Sequence, residues 1–301
     1  MLSALYPAPD WQAMRHEWPH SAHSMFVRCG DMRWHVQRMG QGPVCLLLHG
    51  TGASTHTWRD IMPLLAQHHT VLAVDLPGHA FSQTLPQQSP TLPHVAQALL
   101  ALLTQLRVRP ALWVGHSAGA AIAAQCQMDA AWLAQGDPGR LVALNPAWLP
   151  MPGSARWFYP LAAWVVGRNP LSGWIAAKQV QHTQMADRLL AQTGSTIDAV
   201  GQRCYRYLLT QPAHARGVLQ MMAAWDLQTF GRELSGLAVP VQMQIGLSDG
   251  TIPPGQADQA QARLPHAVRV NWPGLGHLAH EEKPQDCVNA MLAWSCQSHV
   301  Q

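Results

Sequence analysis

Lysine is almost absent from this chain of 301 residues: among 19 basic side chains only Lys178 and Lys283 are lysines, and charged residues make up just 12% of the total. No basic run is long enough to track a phosphate backbone, which argues against nucleic acid as a partner. Long apolar runs are missing too. No stretch approaches the roughly 18 uninterrupted apolar positions of a membrane-spanning helix, so no transmembrane segment is expected. The six cysteines, Cys29, Cys45, Cys126, Cys204, Cys287 and Cys296, form no CxxC pair, a pattern of free thiols in a reducing compartment. The 17 histidines show no Cys-rich zinc spacing, and no bound metal is expected. The first residues, MLSALYPAPDWQ, lack a basic start, a long apolar centre and a small-residue cleavage site; no signal peptide is read there, and a cytoplasmic location is expected. What is plentiful is apolar character. Hydrophobic residues make up 48% of the chain, which at roughly 100–200 residues per domain suffices for one large core or two small ones.

Short apolar runs at 44–48, 71–74, 111–114 and 141–144, each stopped by Gly, Asp or Asn, read as buried parallel strands. Segments 92–106 and 118–133, rich in Ala, Leu and Gln, read as helices between them. This alternation predicts a doubly wound, mostly parallel α/β sheet. Ahead of it, 25–28 and 32–37 flank Cys29-Gly30-Asp31, a hairpin turn at the sheet edge, and strands at 241–245 and 267–270 close the pattern. The rhythm breaks at 146–237, a span containing Trp148, Trp157, Trp164, Trp174 and Trp225 with no convincing strand. Helices are expected there near 157–166, 185–193, 198–209 and 213–222. The expected organisation is a core of 1–145 and 238–301 with a helical cap, or lid, at 146–237.

The run Ala111-Leu112-Trp113-Val114-Gly115-His116-Ser117-Ala118-Gly119 is a strand, then GHSAG, then a helix. This is the context required of a GxSxG nucleophile elbow, where the turn strains the serine backbone and leaves no room for side chains at 115 and 119. Downstream, Asp249 in GLSDGTIPP follows a strand end, and His277 in GLGHLAHEEKP sits on a Gly-rich loop after the last strand. A serine hydroxyl is a weak nucleophile at its own pKa. It needs a base within reach, and that base needs a carboxylate to fix its tautomer. Ser117, Asp249 and His277 supply those roles in the chain order expected of an elbow on an α/β sheet. The strand at 44–48 ends in His49-Gly50-Thr51-Gly52, so the backbone amides of Thr51 and Ala118 are the expected oxyanion hole. No cofactor is expected.

LLLHGTG, DLPGHAFS, GHSAG, GLSDGTIPP and GLGHLAHEEKP, taken together, resemble the α/β-hydrolase superfamily over nearly the whole chain. Ala80 departs from it, where the family's DxPGHG run has glycine. More narrowly, RWHVQRMG, HGTGASTHTWRD, GHSAGAAIAA, MMAAWDLQ and GLGHLAHEEKP resemble the BchO group, hydrolases associated with magnesium chelatase in bacteriochlorophyll synthesis. That resemblance implies a tetrapyrrole-pathway role, with magnesium chelatase as a partner. The expected activity is a serine hydrolase acting on a bulky apolar ester. Dehalogenases and epoxide hydrolases use an aspartate nucleophile, which Ser117 argues against. Serine-triad C–C hydrolases and haloperoxidases stay open, as does a non-catalytic porphyrin-binding or chelatase-assembly protein.

Other residues divide between site and scaffold. His49 and His79 read as ties between loops, and Glu281, beside His280, reads as a brace. His116 either lines the pocket or packs at the elbow. Trp58 and Trp225 are expected as pocket wall, while most cap tryptophans serve packing. Asn145 ends the strand at 141–144, the alternative place for the acid in this fold; its amide cannot replace a carboxylate, which favours Asp249.

Overall fold

A strand that is apolar at every position must be covered on both faces, and Val44–Leu48 shows how. The computed structural model describes residues 6–150, 169 and 171–296. In it Leu46 and Leu48 belong to one buried cluster while Cys45 and Leu47 belong to another on the opposite face. The sheet has eight strands: β1 (Ser24–Cys29), β2 (Met32–Met39), β3 (Val44–Leu48), β4 (Thr70–Val74), β5 (Pro110–His116), β6 (Arg140–Leu144), β7 (Val241–Gly246) and β8 (Val268–Trp272). Their order is β1-β2-β4-β3-β5-β6-β7-β8. β2 runs antiparallel to both β1 and β4, and every other pairing is parallel. The expected hairpin and parallel runs are all present, each shifted by no more than a few residues.

The described helices are α1 (Trp11–Met14), α2 (Ile61–Leu65), α3 (Leu92–Leu106), α4 (Ala118–Gln127), α5 (Ala130–Leu133), α6 (Ser172–His182), α7 (Met185–Gln192), α8 (Ala199–Leu209), α9 (Pro212–Ala224), α10 (Leu227–Glu233), α11 (Gly255–Arg263), α12 (Ala279–Glu282) and α13 (Pro284–Ser295). One face of the sheet is covered by α3, α4 and α11 through Val95, Leu99, Ala120, Ala124, Ala257 and Ala260. The other is covered by α2 and α13 through Ile61, Leu65, Val288, Met291 and Trp294. Burying each of the Val, Leu, Ile and Met side chains among these contributes roughly 1.5–3 kcal/mol relative to exposure, so the two-sided packing is the main source of stability. None of the described helices is long and apolar enough to cross a membrane.

The helix expected at 118–133 is broken in two. Asp129 leaves the helical conformation and its carboxylate accepts the Trp132 amide at 2.8 Å, capping a new helix instead of continuing the old one. Between β6 and β7 the described residues are helical and contain no strand. The helices expected at 185–193, 198–209 and 213–222 correspond to α7, α8 and α9, and the one expected at 157–166 lies outside the described residues. α6 was not anticipated, and Gly173 lies in its first turn. The structure shows that this glycine is needed, since a Cβ there would press on the Arg216 backbone of α9.

Candidate active site

Ser117 links β5 to α4 with φ 51° and ψ −115°, a region costly for any L-residue, by roughly 1–3 kcal/mol. The surroundings enforce it. The Ser117 amide donates to the Leu144 carbonyl at 2.9 Å, and its own carbonyl accepts the Ala120 and Ala147 amides, each at 3.1 Å. A Cβ at Gly115 would overlap the Ala120 backbone, and one at Gly119 would overlap the Leu48 and His49 carbonyls. Gly119→Ala is therefore expected to destabilise the protein by about 1–3 kcal/mol through overpacking. Gly255→Ala, where an added Cβ meets nothing within 4 Å, is expected to stay within about 0.5 kcal/mol of the parent. Urea unfolding of the two variants makes the comparison; equal midpoints would mean the elbow has slack.

His277 lies beside this turn. The His116 Nε2–H donates to the His277 carbonyl at 3.0 Å, and the two rings stand 4.6 Å apart. His277 Nδ1–H donates to Asp249 Oδ2 at 2.7 Å, which leaves Nε2 with a free lone pair, the tautomer a general base requires. Asp249 is itself held by the amides of Thr251 and Ile252, at 2.7 and 2.8 Å on Oδ1, and by the Asn145 side-chain amide at 2.7 Å on Oδ2. Ser117, Asp249 and His277 are all nearly buried. The contribution of Asn145 was invisible in the sequence. Its amide does more than leave the alternative place without an acid, because it donates to the Asp249 carboxylate.

The end of β3 lies against the serine, since a Cβ at Gly50 would touch the Ser117 Cβ and the His116 ring. Among the described residues the backbone N–H groups of Thr51 and Ala118 donate to no protein acceptor, a condition that any oxyanion hole requires of its donors. Three buried histidines shape this loop. His49 accepts the Leu76 amide on Nε2 at 2.9 Å and donates from Nδ1 to the Gly50 carbonyl at 2.8 Å. His79 donates to the Pro77 carbonyl at 3.1 Å. His214, from α9, accepts the Ala80 amide at 3.0 Å and donates to the Gly52 carbonyl at 3.3 Å. His49 thus ties two loops, as expected; His79 bonds only within its own turn and packs its ring against those of His49 and His214, and His214 was missed. Burial lowers the pKa of all three, that of His214 to about 4.

Residues 45–290 match the family model described as "Alpha/beta hydrolase family". The chain belongs to that family. It is 34% identical over 287 residues to the "Magnesium-chelatase 30 kDa subunit" of Rhodobacter capsulatus, covering 95% of this chain and 99% of that one. It is 28% identical over 266 residues to a pimeloyl-[acyl-carrier protein] methyl ester esterase of Aeromonas hydrophila, covering 84% of this chain and 95% of that one. Among solved structures it is similar to an epoxide hydrolase, with a TM-score of 0.73 at 21% identity over 90% of this chain and 97% of that one; that likeness shows the fold alone.

Several features of this hydrolase correct the sequence expectations. Trp58 is not pocket wall: it is fully buried with Ile61, Met62 and Leu65 in the cluster on the α2 and α13 face of the sheet. Trp225 is half-buried at the end of α9, where its indole N–H donates to the Pro90 carbonyl at 3.0 Å, so it anchors a loop. His116 packs at the elbow, its ring between those of His277 and His280. Ala80 keeps the left-handed backbone that glycine usually supplies, with φ 43°.

Two polar clusters lie outside the site. Glu281 accepts from Thr57 and from Tyr205 of α8, at 2.5 and 2.8 Å, and pairs with Arg59, which also reaches Asp198 at 2.9 Å. Burial raises the Glu281 carboxyl pKa against the pull of Arg59. The bracing role expected of Glu281 extends across to α8. Ser24, His35 and Asp75 form a second Ser–His–Asp array, with His35 2.9 Å from the Ser24 hydroxyl and 2.7 Å from Asp75. Burial would raise the Asp75 carboxyl, but His35 and the Thr55 amide hold it down at about 2. Ser24 has ordinary extended backbone, φ −81° and ψ 139°, and its hydroxyl also accepts from Gln37 at 3.2 Å. It lacks the backbone strain of Ser117, and the array is a structural tie.

Proposed function

We propose that this α/β hydrolase is a serine esterase with Ser117 as nucleophile, His277 as general base and acid, and Asp249 as the orienting carboxylate. Ser117 Oγ attacks the ester carbonyl carbon while its proton passes to His277 Nε2. The carbonyl oxygen, now negative, accepts from the Thr51 and Ala118 amides. His277 returns the proton to the departing alkoxide, and water then repeats the sequence to release the acid and regenerate the serine. The observation that carries this reading is the strained Ser117 beside two free amides and a histidine already bonded to a carboxylate.

The likeness to a protein named as a magnesium-chelatase subunit supports a tetrapyrrole ester as substrate, a cytoplasmic role in bacteriochlorophyll biosynthesis and magnesium chelatase as partner. The same likeness favours one second reading, a porphyrin-binding or chelatase-assembly protein that turns nothing over. A fluorophosphonate probe and a porphyrin titration separate the two. The esterase reading expects Ser117-dependent labelling together with quenching of the emission of the 13 tryptophans by magnesium protoporphyrin monomethyl ester at micromolar concentration, equivalent to about 8 kcal/mol. Quenching without labelling would favour the assembly reading, and labelling without quenching would leave an esterase of another substrate class.

A further inference from the structure

The histidine loop is irregular, so its buried amides need acceptors from elsewhere. Three consecutive ones are all satisfied, two of them by the stretch joining α7 to α8. Gly276 N–H donates to Glu282 Oε2 at 2.8 Å, His277 N–H to the Thr193 carbonyl at 2.9 Å, and Leu278 N–H to the Ser195 hydroxyl oxygen at 2.8 Å. The Ser195 hydroxyl donates in turn to Glu282 Oε2 at 2.8 Å, and the Thr196 amide donates to Glu282 Oε1 at 3.0 Å.

The Thr193 carbonyl also accepts the Gly250 amide at 3.2 Å. One oxygen between the two helices therefore holds the residue after Asp249 and the backbone of His277 together. Glycines allow this approach. A Cβ at Gly194 would overlap the Ser248 carbonyl, one at Gly250 the Gln192 carbonyl, and one at Gly276 the Gly194 carbonyl group. At Gly194 the φ of 73° demands glycine as well.

We infer that Ser195 and Glu282 are positioning residues that set His277 against Asp249 and Ser117. The turn at 193–196 is then part of the catalytic scaffold. The proposal rests on the serine-esterase reading. A misplacement of about 1 Å in a catalytic group can cost on the order of 100-fold in rate. Ser195→Ala leaves the Leu278 amide without its acceptor, and Glu282→Gln substitutes a donor for one of two accepting oxygens.

Each variant is expected to lower kcat on p-nitrophenyl esters about 10- to 100-fold with KM within about threefold, while Ser195→Thr, which keeps the hydroxyl, recovers most of the rate. The low-field proton resonance of His277 Nδ1–H, assigned by its loss in His277→Ala, should shift and exchange faster with solvent in Ser195→Ala and Glu282→Gln. This second readout does not depend on turnover. Were the wild type to hydrolyse no ester and take up no probe, the esterase reading would fall, and the resonance would still decide the clamp. Parental kcat in both variants, or a resonance and exchange rate equal to wild type in both, would overturn it.

Discussion

Ser117→Ala is expected to reduce esterase turnover at least about 10,000-fold while leaving the unfolding midpoint near that of the parent, since alanine keeps every backbone hydrogen bond of the elbow. His277→Ala should fall as far, because nucleophile and base act as one unit and their losses do not add. Asp249→Asn is expected to cost about 10,000-fold as well. An asparagine there could present its amide to His277 Nδ1 and favour the wrong tautomer, and it would abut the Asn145 donor that now sits 2.7 Å from the carboxylate. Asn145→Asp probes the same bond from the other side. It would place a like-charged acceptor where the amide now donates, so Asp249 would lose that bond and be pushed from the position in which it orients His277. A fall of about 100-fold or more at pH 7 is expected. Burst kinetics with p-nitrophenyl acetate, alongside urea unfolding of each variant, separates chemistry from folding. Turnover in Ser117→Ala within tenfold of the parent would remove the serine from the mechanism.

The sheet and the elbow were legible because their determinants are local. A buried parallel strand announces itself as an unbroken apolar run, as in Val44–Leu48, and a nucleophile elbow requires two glycines and a serine at fixed spacing between such a run and a helix. Other features depend on partners far along the chain. Nothing near Thr193 signals that its carbonyl will receive amides from 250 and 277, and nothing in α9 marks His214 as the ring that grips the Gly52 and Ala80 backbone. The helix α6 was missed for a related reason: Gly173 permits its approach to α9, a contact with no local signal. The tryptophans misled through size: an indole can wall a pocket or fill a core, and only packing distinguishes them, as Trp58 demonstrates.

The histidines that organise this site also make the fold sensitive to acid, and this is the second large effect expected. His49, His56, His79, His116, His214 and His280 are buried, and burial lowers the pKa of each from 6.5, to about 4 for His214 and about 3 for His280. A group whose folded pKa is depressed contributes fully above its unfolded pKa and loses that contribution as pH falls below it. Below about pH 6.5 the unfolded chain takes up protons that the native imidazoles refuse, so each adds a slope of roughly 1 kcal/mol per pH unit. Asp75, held at about 2, adds the same sign but only below about pH 4. The raised carboxyl of Glu281 acts oppositely, keeping a proton in the folded state that the unfolded state has released. Six imidazoles outweigh one carboxyl. Against a total stability on the order of 5–15 kcal/mol, a drop from pH 7 to pH 5 should bring the protein close to unfolding. The urea midpoint is expected to fall continuously between pH 7.5 and 5.5, and unfolding at pH 6 should take up protons, measurable with an indicator dye. A midpoint constant over that range would show that these rings are not kept neutral by burial.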